Sequence, residues 1–168
     1  MRMTIVTVLA LILRTHAAYP DVPVERVAVA AAAAVSAETP RVSAALLMAI
    51  AVHESDLEAN AVSYVVDGRR IDRLWTNLWT PPDVTMTCGY GQTVARGRAQ
   101  CAAIIADNGG MTSAVAELEE WLARSHGDMR RALAGYSNGN AGFRRGRSRF
   151  GDWFLRRAEQ LGMARPAS

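Results

Sequence analysis

Apolar positions along the chain recur mostly at spacings of three and four, between breaks rich in proline and glycine. That period predicts amphipathic helices. Thr4 to Leu13 is almost continuously apolar, and a helix there would carry Ile5, Val8, Leu9 and Ile12 on one face, with Arg14 past its end. The break Tyr19-Pro20-Asp21-Val22-Pro23 follows; Pro23 suits a first helical position, and Val24 to Ala37 carries a second helix until Pro40. A third helix is expected from Ser43, as its N-cap, to Glu54 or Ser55. The period then changes. Ser63-Tyr64-Val65-Val66, Asp67-Gly68 and Arg69-Arg70-Ile71 read as strand, type I′ turn and strand. Trp75, Trp79 and Pro81-Pro82 mark an irregular aromatic loop. Beyond Gly89-Tyr90-Gly91-Gln92, helices are predicted from Val94 to Asp107, Thr112 to Arg124, Asp128 to about Tyr136, and Asp152 to Leu161. A glycine-rich loop from Asn138 to Gly146 is expected before the last of them. No repeat or linker interrupts this order, which describes one mainly α domain over residues 1–168 with a small β-hairpin.

Residues 1–18 have two readings: a retained first helix, which is the expectation, or a short secretory signal. The apolar run is too short to cross a bilayer, so no transmembrane anchor is expected. Half of the 168 residues are apolar, enough for a substantial core. The net charge is +3, and all 19 basic residues are arginine. Such a charge suits an anionic polymer such as a cell wall, and suits nucleic acid equally. Cys88 and Cys101 allow one intramolecular disulfide, which would staple the Gly89 turn to the next helix in an oxidising space. Two buried thiols are the alternative. His16, His53 and His126 have no ligand spacing among themselves, and the glycines precede no Gly-Lys-Ser/Thr. No metal, nucleotide or other cofactor is therefore expected.

One carboxylate stands out. In the third helix Leu47, Ile50 and Glu54 follow at three and four residues, so Glu54 projects from the face that Leu47 and Ile50 bury. Loss of hydration there raises a carboxyl pKa, and the negative end of the helix pushes the same way. A glutamate that keeps its proton near neutrality can protonate a glycosidic oxygen. The plainer reading is a frayed helix end with Glu54 in solvent.

Three segments in order give that carboxylate a context. Ile50-Ala51-Val52-His53-Glu54-Ser55, followed by Ala59-Asn60-Ala61-Val62-Ser63, resembles the first motif of soluble lytic transglycosylases and goose-type lysozymes, where a helix ends in a catalytic Glu-Ser pair. Gly89-Tyr90-Gly91-Gln92 is similar to that family's Gly-Leu-Met-Gln, and Ala132-Leu133-Ala134-Gly135-Tyr136-Ser137-Asn138-Gly139-Asn140 to its Ala-Leu-Ala-Ala-Tyr-Asn-Ala-Gly. The family's asparagine after the tyrosine is Ser137 here, with Asn138 one place later, and its terminal tyrosine is replaced by Trp153 or Phe154. The stretch from Glu54 to Gly89 is also longer than the family usually shows.

The resemblance implies an α+β, lysozyme-like fold with a cleft, and cleavage of the β-1,4 bond between N-acetylmuramic acid and N-acetylglucosamine in peptidoglycan glycan strands. Glu54 would be general acid and then base, closing a 1,6-anhydro ring. Ser55 would orient Glu54 or a substrate group; Gln92, Tyr136 and Asn138 would hold sugar hydroxyls or N-acetyl groups. Trp75 and Trp79 are candidates for stacking on sugar faces or for packing. Gln92 has a second reading as a helix cap, and His53 reads as structural. A hydrolysing lysozyme would need another carboxylate to activate water, and Asp67 and Asp72 are the nearest in sequence. Such an enzyme would act in the bacterial wall or periplasm, carried by a phage tail or secretion machine, or secreted. Two other classes compete. Phe143-Arg144-Arg145-Gly146-Arg147-Ser148-Arg149-Phe150 is a basic run that nucleic acid would fit, and a catalytically inactive wall-binding protein would use the same fold.

Overall fold

A computed structural model describes residues 5–75 and 84–163. Trp79 and Pro81-Pro82 lie outside the described residues. The expected mainly α, α+β class is found: seven α-helices and a four-stranded antiparallel sheet among the described residues. In chain order the elements are α1 (Ile5–Ala18), α2 (Val24–Ala37), α3 (Ala44–Ser55), β1 (Ala61–Val66), β2 (Arg69–Leu74), β3 (Thr85–Cys88), β4 (Thr93–Arg96), α4 (Arg98–Ala106), α5 (Met111–Arg124), α6 (Met129–Arg145) and α7 (Arg149–Leu161).

The third helix is the axis of the molecule. Ser43 caps it, its hydroxyl accepting from the Leu46 N–H at 3.3 Å. Every residue from Ala44 to Ala51 is buried, so α3 is enclosed all round rather than on one stripe. It packs against α7 on one side and α2 on another. Ala30, Ala31 and Ala34 of α2 are fully buried, and side chains this small let neighbouring backbones approach closely. Leu118 and Leu122 of α5, Leu133 of α6 and Phe154 of α7 complete the same core. Two consecutive left-handed residues, Asp56 and Leu57, end α3, and their N–H groups bond back to Val52 and Ala51 carbonyls.

The first helix differs from expectation in its face and its length. Leu11 and Thr15 are its buried positions, Ile5 and Leu9 are exposed, and the helix continues through Arg14, whose guanidinium reaches the Leu161 carbonyl at 3.3 Å. Pro23 precedes the first helical residue of α2 and is not part of it. Among the described residues no helix is long and apolar enough to cross a membrane.

The hairpin forms at the expected place, with Asp67 (φ 50°) and Gly68 (φ 74°) in the two positive-φ positions of its turn. It is half of a larger sheet of strand order β2-β1-β3-β4. Val94, expected to open a helix, lies in β4 instead, because Thr93–Arg96 pairs with Thr85–Cys88. The β-branched pair Thr93-Val94 fits a strand, and helix begins only after Gly97 (φ 86°). Strand β2 lies at the sheet edge, with Arg69, Arg70, Asp72 and Arg73 exposed. The glycine-rich stretch 138–146 is also corrected. It is largely helical, a continuation of α6 broken only at Asn138 (φ −141°) and Gly139 (φ 56°, ψ −152°), and closed by Gly146. A ψ of that sign and size at positive φ is open to glycine almost alone, so the break is written in one residue.

Cys88 at the end of β3 and Cys101 in α4 form a disulfide with Cα atoms 5.8 Å apart. It ties the sheet to α4 through a small separate core of Val62, Tyr64, Met86, Ala95 and Ile104. Replacing both cysteines by serine should lower stability by about 3 kcal/mol, the loop-closure value for a cross-link of this span. Urea unfolding of the oxidised protein and the double variant measures it; equal midpoints would mean that α4 is held to the sheet by packing alone.

Candidate active site

Between the helical core and the sheet lies an open cleft of about 740 Å³. Glu54 from the last turn of α3 lines it, with Tyr64, Val65 and Arg70 of the hairpin, Met86 and Thr87 of β3, Gly91 and Gln92 of the turn, Glu117 of α5, and Tyr136 and Ser137 of α6. Residues from all three motif segments thus meet at one place: Glu54, Gly91 and Gln92, Tyr136 and Ser137.

Glu54 is half-buried and its pKa is raised. Burial is the chief cause, partly offset by the neighbouring His53 and Arg70. His53 itself turns outward, its ring edge-on to Phe150, Trp153 and Phe154 at 4.7, 5.2 and 5.4 Å, which makes it a packing residue. Those rings surround His53 and are not part of the cleft lining, so neither Trp153 nor Phe154 stands in for the family's terminal tyrosine there.

Tyr136 is built into the cleft wall. Its hydroxyl donates to the Gly91 carbonyl at 2.8 Å. A Cβ on Gly91 would lie 2.6 Å from that hydroxyl and 2.5 Å from the Ala114 Cβ, so the turn can touch the tyrosine only because residue 91 has no side chain. Burial raises the Tyr136 pKa well above its ordinary value, and the charges of Glu117 and Glu54 push it further. The phenol therefore remains neutral, with its one hydrogen spent on Gly91.

Gln92 lines the cleft and is also bonded within the protein. It adopts a positive φ of 48°, and its Nε2 donates to the Ala61 carbonyl at 3.2 Å and the Gly89 carbonyl at 3.1 Å. Its Oε1 accepts from the Thr87 hydroxyl at 2.7 Å. Both amide hydrogens are consumed, so Gln92 is a strut that fixes the turn against β1 and β3 and has no hydrogen to give a sugar. Nor does it cap a helix.

Three expected residues are not brought to the cleft. Ser55 is buried and its hydroxyl donates to the Ala51 carbonyl one turn back, at 2.9 Å. Asn138 is exposed beside Arg145, Arg147 and Arg149, and its amide donates to the Ser137 hydroxyl. Trp75 packs on the small core beside Val62 and Tyr64, as an anchor and not a stacking platform. Ser137, in the family's asparagine position, donates to the Leu133 carbonyl and shares a hydrogen bond with Ser148 at 2.7 Å.

The two carboxylates nearest in sequence do not supply a second acid either. Asp67 makes the hairpin turn, and Asp72 is exposed and bonded to Arg70 at 2.8 Å, which lowers its pKa. Reading the sequence missed Arg70, which stands in the cleft, and Glu117. The signal for Glu117 was of the same kind as that for Glu54: it lies three residues after Ala114 and four before Trp121, at the margin of the buried stripe of α5. Of the basic run, Phe143 is occupied within the protein, with Arg124 and Arg131 over its ring at 4.9 and 4.5 Å.

A carboxyl whose pKa is raised on folding makes the native state less stable once pH exceeds the unfolded pKa, because the native protein holds its proton longer. Glu54→Gln should therefore raise the melting temperature at pH 7 and leave it unchanged near about pH 3, where both states are protonated. Thermal melts at the two pH values test this; a lower melting temperature at pH 7 would mean that the Glu54 carboxylate is stabilised in the native protein.

No family model, curated protein or solved structure matches the chain.

Proposed function

We propose that the protein is a peptidoglycan-cleaving glycosidase of the lytic transglycosylase type, with Glu54 as general acid and base. The observation that carries this reading is the position of Glu54. A carboxyl made a weak acid by burial stands in an open cleft, beside Tyr136 and the Gly91-Gln92 turn, the other two parts of the ordered motif set. A cleft of about 740 Å³ open to solvent accommodates a chain of sugar rings better than an enclosed pocket would.

In this mechanism Glu54 passes its proton to the glycosidic oxygen as the bond from that oxygen to the muramoyl C1 breaks. The substrate's own N-acetyl oxygen bonds to C1 and holds the positive charge. The Glu54 carboxylate then removes the C6 hydroxyl proton, and the C6 oxygen displaces the N-acetyl oxygen to close the anhydro ring. Glu54 ends protonated, as it began. Tyr136 keeps the Gly91 turn against the cleft, and Arg70, whose charge already lowers the Glu54 pKa, opposes too high a value for release of the proton. The disulfide suits work in an oxidising space such as the bacterial envelope, reached by secretion or aboard a phage tail or secretion machine. The exposed arginines Arg144, Arg145, Arg147 and Arg149 suit an anionic wall.

Digestion of purified peptidoglycan, with mass spectrometry of released muropeptides, tests the assignment. Wild type should release 1,6-anhydro-muramoyl products, and Glu54→Gln should lose about 10²–10⁴-fold in rate. Because the acid form is required, kcat/KM should fall on an alkaline limb set by the raised Glu54 pKa, and that limb should lie above the ordinary glutamate range. Wild-type protein that releases nothing from walls of several chemistries would sink the proposal.

A further inference from the structure

Glu117 has no part in the mechanism above, yet its surroundings are those of a working group. It lines the same cleft as Glu54. Burial raises the Glu117 pKa, and the charges of Glu120 and, to a smaller extent, Glu54 push it the same way. Among the described residues no cation pairs with Glu117, in contrast to Asp72 on Arg70 and Glu58 on Arg26. An acid left unpaired in a partly desolvated cleft is costly to stability, and such costs concentrate at functional sites.

The Trp121 side chain, one turn further along α5, favours the charged form of this carboxyl. Trp121 in turn is clamped: Arg124 lies 4.1 Å over its ring, and Phe143 tilts against it at 5.2 Å between centroids. On the α6 side the ring lies directly on Gly135, where a Cβ would come within 2.4 Å of it. Gly135 is the residue at which the third motif departs from alanine. A missing methyl on α6 thus admits the indole beside α5, from which Glu117 lines the cleft.

We infer, building on the assignment of Glu54, that Glu117 is a second catalytic carboxylate, the base that activates water and lets this site hydrolyse the glycosidic bond as well as close the anhydro ring. In the hydrolytic branch Glu54 gives its proton to the leaving oxygen as the C1–O bond breaks. Glu117 takes a proton from a water molecule, whose oxygen forms the new bond to C1. One water is consumed, and the products are a reducing muramoyl end and a free hydroxyl on the departing sugar. Glu54 is left as carboxylate and Glu117 protonated; proton exchange through solvent restores both. The two product classes report on which nucleophile, water or the C6 hydroxyl, reaches C1.

Purified peptidoglycan digested by wild type, Glu117→Gln and Glu117→Ala, each with and without sodium azide, tests the inference by muropeptide mass spectrometry. Wild type should yield both reducing and anhydro ends. In Glu117→Gln the ratio of reducing to anhydro ends should fall by about tenfold or more. Azide needs no base, so Glu117→Ala with azide should accumulate muramoyl azide, an outcome that a merely structural role for Glu117 does not produce. Anhydro ends alone from wild type, or the same ratio in Glu117→Gln, would overturn the role of Glu117 and leave that of Glu54 standing. Loss of every product from both variants, with unchanged thermal melts, overturns it too, since Glu117 would then act through Glu54. If Glu117→Ala does not fold, the isosteric Glu117→Gln decides the matter by its product ratio. Wild type that releases nothing removes the Glu54 assignment and this one together.

Discussion

Enclosure of α3 governs the rest of the molecule. A helix buried on every side from Ala44 to Ala51 can carry polar side chains only where it emerges, and it emerges at His53 and Glu54. The two residues leave in different directions. His53 goes to an outer ring of aromatics, and Glu54 goes to the boundary between helices and sheet. That boundary is dry enough to raise a carboxyl pKa and open enough to admit a polymer. The left-handed pair Asp56 and Leu57 then turns the chain at once into the sheet that forms the opposite wall. Leu57 at positive φ is an uncommon conformation for such a residue, tolerated here because its side chain is buried in the core.

Charge within the cleft is arranged around a shortage of hydration. Glu54, Glu117 and Tyr136 each have a pKa raised chiefly by burial; the charge of Glu54 adds to the rise of the other two, and that of Glu117 to the rise of Tyr136. Arg70 is the cation that lines the same cleft, and it is shared with Asp72 outside it.

Much of this was legible in the sequence where local chemistry decided structure. Ser43 as a cap, the Asp67-Gly68 turn and the limits of α2 and α3 follow from side chains acting on their own backbone. Spacing placed Glu54 beside Leu47 and Ile50, but burial of α3 on every side was not legible in it. What was hidden depended on partners far along the chain. Thr93–Arg96 is a strand because β3 is beside it, and Gln92 is a strut because Ala61 and Thr87 come within reach of its amide. The seating of Trp121 beside Glu117 was hidden as well, because it depends on Gly135, eighteen positions from Glu117, whose lack of a side chain makes room for the indole. A glycine within a helix reads as a weakness until the ring that lies on it is seen.

The edge of the sheet has a consequence of its own. Among the described residues, strand β2 has no neighbouring strand along one side, and such an edge invites another chain to add itself. Here it is studded with Arg69, Arg70, Asp72 and Arg73. Three arginines and one aspartate on six residues give the edge a net positive charge, which disfavours its pairing with a second copy of itself. The same arginine that lines the cleft therefore also helps to keep the molecules apart.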